Sequence, residues 1–72
     1  MLTSQTVENL AHIARNGGGF VISARAYTVE NLAHIVRNMQ AGACIEIGDS
    51  NAMTTENLAH ISRNAVGQVI FS

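Results

Sequence analysis

Seventy-two residues with 47% hydrophobic and 12% charged side chains are too apolar for a disordered chain and too few for more than one small domain. Four arginines against five acids give a formal net charge of −1, which excludes the basic footprint of a nucleic-acid or anionic-membrane binder. No apolar run approaches the roughly 18 residues of a membrane-spanning helix, and Met1-Leu2-Thr3-Ser4-Gln5 lacks the basic start of a secretory leader.

The first element is predicted over Thr6–Asn16, TVENLAHIARN. Thr6 is placed to cap a helix, Glu8 suits the positive end of its dipole, and Arg15 suits the negative end. Asn16 fits a left-handed exit, extended by Gly17. At 100° per residue Val7, Leu10, Ala11, Ile13 and Ala14 share one face, and Glu8, His12 and Arg15 share the other. Gly17-Gly18-Gly19 follows, and Gly19-Phe20-Val21-Ile22-Ser23 is a short apolar run that reads as a strand. The triple glycine follows a helix, whereas phosphate-cradling loops precede one, so it is a connector.

The eleven-residue segment returns at Thr28–Asn38 and Thr54–Asn64, and nine of its eleven positions are identical in all three copies. Tyr27 and Met53 precede the second and third caps and are placed to staple onto Leu32 and Leu58. Apolar runs follow again, Ala43–Ile47 and Gln68–Ser72, and Asp49-Ser50-Asn51 marks a turn. Strands joined through helices pair in parallel. The expected fold is therefore α/β: one domain of three tandem helix–strand repeats (about 6–27, 28–53 and 54–72), a three-stranded parallel sheet in the order 1-2-3, and all helices on one face.

The copies start 22 and then 26 residues apart, inside the roughly 20–29-residue window of leucine-rich repeats. Ile45-Glu46-Ile47 followed by Asn51 resembles the strand-and-asparagine signature of that family, with Ser50 at the place where its asparagine stands. The resemblance implies a binding scaffold whose sheet face or edge meets a protein partner.

Such a sheet leaves one face without helices. Phe20-Val21-Ile22 and Val69-Ile70-Phe71 do not alternate with polar residues, so apolar side chains are expected there. Both outer strands are expected to be open edges. A homo-oligomer, simplest as a dimer packing sheet against sheet, resolves this exposure, as would another protein or further repeats of a longer array. The candidate interface residues are Phe20, Ile22, Cys44, Ile70 and Phe71.

His12, His34 and His60 recur at one helix position. Neighbouring helices lie about 8–10 Å apart, so three imidazoles in a row do not converge on one ion. Pairing with the glutamate four residues earlier in the same helix is the simpler role. Below about pH 6 all three protonate, moving the formal charge from −1 to +2, so the alternative function is a small regulatory module sensing metal or pH through this row. Asn9, Asn31 and Asn57 either bond between helices or face water, and Ala11, Ala33 and Ala59 permit close helix contact. Cys44, in the central strand and without a nearby histidine, reads as a small buried residue. A single cysteine suits a reducing, cytoplasmic setting. Ser23, Ser50 and Ser72 lack a nucleophile's surroundings. The sequence thus points to a non-enzymatic protein with no cofactor and no metal.

Overall fold

A computed structural model describes all 72 residues. Three helices alternate with three strands: α1 (Val7–Arg15), β1 (Phe20–Ser23), α2 (Val29–Arg37), β2 (Cys44–Gly48), α3 (Thr55–Asn64) and β3 (Gln68–Phe71). Single 3-10 turns, Ala24–Ala26 and Ser50–Ala52, carry the chain from β1 to α2 and from β2 to α3. The sheet is parallel throughout, in the order β1-β2-β3.

Each helix starts where its threonine stops the extended chain. Thr6, Thr28 and Thr54 accept from the backbone N–H of Asn9, Asn31 and Asn57 at 3.1, 3.1 and 3.2 Å, satisfying one of the orphan donors of the first turn. The ends differ from expectation. Asn16 and Asn38 have φ of −91° and −87°, and Asn64 still belongs to α3, so none is left-handed. Instead the side-chain amides of Asn16, Asn38 and Asn64 donate back to the carbonyls of His12, His34 and His60, each at 2.8 Å. That bond satisfies a terminal carbonyl without the strain of positive φ, which Gly17 takes instead at +90°.

The register sorts the strands' side chains. Phe20, Ile45 and Val69 lie abreast, as do Ile22, Ile47 and Phe71. These six face the helices, because Ile22, Ile45 and Ile47 join Leu10, Leu32, Ile35, Val36 and Ile61 in one core. Each fully buried aliphatic side chain contributes about 1.5–3 kcal/mol. Ala11 and Ala33 are wholly buried, as close helix approach requires. Ala59, on the last helix, is half-buried because no helix lies beyond it. The second and third strands are drawn in tightly. A Cβ on Gly67 would stand 2.6 Å from the Gln40 carbonyl oxygen and 2.7 Å from that of Ala43, and Gln68 N–H donates to the Ala43 carbonyl at 3.0 Å.

Candidate interaction surface

The other side chains of the strands form the face without helices. Val21 and Glu46 lie abreast with Ile70, and Cys44 with Gln68, while Ser23 sits beside Gly48. This face is mixed, not the continuous apolar surface expected from the strand sequences. The physical reason is the two-residue period of a strand: every second member of each apolar run turns toward the helices. Of the five candidate residues, Ile22 is fully buried in the core and Phe20 and Phe71 are half-buried against it. Cys44 and Ile70 stand on the outer face. Cys44 is exposed, a correction to its expected burial, because it opens β2 opposite the exposed Gln68. Ile70 is 41% exposed.

The two sheet edges are not alike. Leu2 N–H donates to the Val21 carbonyl at 2.8 Å, so a stretch of N-terminal chain occupies the outer edge of β1. Tyr27 holds that stretch by donating its hydroxyl to the Gln5 carbonyl at 2.7 Å, and the Met1 methyl lies 3.0 Å from where a Cβ on Gly48 would stand. The expectation of two open edges is thereby corrected to one. On the other side, Gln68 and Ser72 N–H donate to Ala43 and Ile47 of the β2 segment, both at 3.0 Å. Parallel strands alternate their bonding direction, so Val69 and Phe71 aim N–H and C=O away from β2. No strand lies beyond them. Two residues before β3, Val66 is 54% exposed.

The helix layer carries two ladders between neighbouring helices. Arg15 donates to the Asn38 side-chain oxygen at 2.9 Å, and Arg37 to that of Asn64 at 3.2 Å. His34 lies 3.6 Å from the Glu8 carboxylate and His60 lies 3.5 Å from that of Glu30. The expected pairing within each helix, glutamate to the histidine four residues on, is corrected to pairing with the following helix. Helix packing brings the two flanks together, and Nε2 of both histidines is then shielded from water by the contact. Both ladders run out at α3: Glu56 and Arg63 are exposed and have no polar side-chain partner. Asn9 bonds to the Gln5 side chain at 3.3 Å.

At the C-terminal ends of the strands Ser23 donates to Asp49 at 2.6 Å, Ser50 to the Ile47 carbonyl at 2.8 Å and Ser72 to Glu46 at 3.0 Å. These bonds tie strand ends to each other and to the turns. The surface therefore consists of a half-polar sheet face, an unpaired β3 edge and the outer flank of α3. The sequence signals the covering of β1 only through two apolar residues, Met1 and Leu2, ahead of the polar Thr3-Ser4-Gln5. No helix is long and apolar enough to cross a membrane. No protein-family model, curated protein or solved structure significantly matches the chain.

Proposed function

We propose that the chain is a non-enzymatic scaffold of three tandem α/β repeats, similar in architecture to leucine-rich repeats, that works by self-association or by binding another protein. The observation that carries this reading is the unpaired edge of β3 with the exposed Ile70 in the strand and the exposed Val66 two residues before it. An open edge offers main-chain bonding to another chain, and exposed aliphatic groups beside it reward that pairing by burial. The outer sheet face extends the same surface through Val21 and Cys44. The exposed single thiol suits a reducing compartment such as the cytoplasm.

Sedimentation velocity of the chain over a hundredfold concentration range tests this. Reversible association is expected, and Ile70→Lys should abolish it while leaving the circular dichroism unchanged, because Ile70 lies outside the core. A folded chain that sediments as a monomer throughout would overturn self-association. A sensing role for the histidine row would draw on the two His–Glu contacts between neighbouring helices. Both carboxylates are about four-fifths exposed (side-chain exposure 78% and 80%), so water screens these contacts. The metal side of that role needs ligands that converge, and a zinc titration followed by calorimetry, with His34→Ala as control, tests it.

A further inference from the structure

The self-association proposed above has a definite geometry. We propose that two copies join about a two-fold axis, β3 antiparallel to the second copy's β3, and α3 beside the second copy's α3 with Glu56 of each copy against Arg63 of the other.

Three observations lead there. First, head-to-tail stacking would set β3 of one copy on β1 of the next, but the N-terminal stretch already bonds to that edge through Leu2 and Val21. Among identical copies, the free edge of β3 then has another β3 to meet. Second, Val69 and Phe71 both direct their main-chain groups outward. An antiparallel pairing of Val69 with Phe71 of the second copy, and the reverse, satisfies two N–H and two C=O groups on each chain. It sets Ile70 opposite Ile70 on the outer face as a non-hydrogen-bonded pair, with side chains at their closest, and so covers the largest exposed aliphatic group of the strand. Third, Glu56 and Arg63 are seven residues apart, two turns, on one flank of α3. The corresponding residues of α1 and α2 do reach the next helix, as the ladders show. A two-fold axis reverses the second helix, so its arginine end lies beside the first copy's glutamate end. The flank is complementary to itself in charge and dipole. Leu58 and Ala59 on this flank are half-buried, whereas Leu32 and Ala33 are wholly buried where α3 packs on α2. The Ser62 hydroxyl, turned back to the Leu58 carbonyl at 2.8 Å, presents no unmet donor.

Charge exchange tests the arrangement. Glu56→Arg alone and Arg63→Glu alone each place like charges together twice, and each should weaken the dimer about tenfold or more. Mixing these two variants in equal amounts should restore a dimer, and so should the double variant carrying both exchanges. Neither restoration follows from head-to-tail stacking, where Glu56 would meet His12 and Arg63 would meet Asn16. Glu56 and Arg63 are both exposed, so folding, checked by circular dichroism, is unaffected. In a Cys44→Ser background, Ile70→Cys should form a disulfide-linked dimer on oxidation, since such strand pairs lie about 4.5 Å apart at Cα. A dimer indifferent to every charge exchange, or assemblies that grow without limit with concentration, would overturn the two-fold arrangement while leaving self-association standing. A monomer at all concentrations would overturn both.

Discussion

At the scale of single residues, three side-chain types set the local structure. The threonine caps each satisfy a first-turn donor, so Thr28→Ala should cost about 1 kcal/mol in urea denaturation, with Thr28→Ser close to neutral. Leu32 is wholly buried in the core. Its truncation to alanine should cost about 2–5 kcal/mol, enough to unfold much of a domain this small at room temperature. Gly67 is different in kind. Its methyl would strike two backbone carbonyls, which cannot swing aside as a side-chain end can. Gly67→Ala is expected to loosen β3 from β2, seen as faster amide exchange at Gln68 while α1 and β1 remain protected.

At the scale of elements, neighbouring helices are held by a buried seam with a polar fringe. The seam is Leu10, Ala11 and Ala14 on one helix and Ile35 on the next, all wholly buried. The fringe is the arginine-to-asparagine and histidine-to-glutamate ladders. Exposed bonds of this kind contribute little each, so Arg37→Ala should lower stability by less than about 1 kcal/mol. Because Arg63 has no partner within the chain, Arg63→Ala should leave the stability of the monomer unchanged and act only on association. Denaturation below and above the association range separates the two effects. The stretch on β1 is a second kind of joint, fastened by the Tyr27 hydroxyl. Tyr27→Phe should cost about 0.5–1.5 kcal/mol and raise exchange at the Leu2 amide.

At the scale of the whole molecule, 15 of 72 residues are buried, which leaves a single layer of helices on a three-stranded sheet close to the limit of independent stability. The proposed association would then bear on the fold as well, because a partner that binds only the folded state stabilises it by mass action. The melting temperature of the chain should rise with protein concentration. The same series on Ile70→Lys should be flat. A wild-type melting temperature independent of concentration would separate the fold's stability from its open edge.

Much of the fold was legible from the residues because its causes are local. The TVENLAHIARN segment carries cap, dipole charges and amphipathic spacing within eleven positions, and valine- and isoleucine-rich runs follow at a distance that forbids hairpins, which leaves parallel pairing in chain order. The helix exits were misjudged because an asparagine can satisfy a carbonyl through its side chain as well as through a left-handed turn. The rest depended on contacts between residues far apart in sequence. Periodicity does not tell which alternate residues of Phe20-Val21-Ile22 or Val69-Ile70-Phe71 turn inward. Only packing against Leu10, Leu32 and Ile61 sends Ile22 and Phe71 to the core side and leaves Ile70 outside. From sequence alone Glu8 has only His12 within reach, one turn on in its own helix, and it is helix packing that brings His34 to 3.6 Å from it. Nothing in Leu2 announces that it will bond to β1, since one hydrogen bond between distant segments has no periodicity to read. The elements and their order were thus written in short-range chemistry, whereas the asymmetry of the two edges, on which the proposed function rests, arose only when the chain closed on itself.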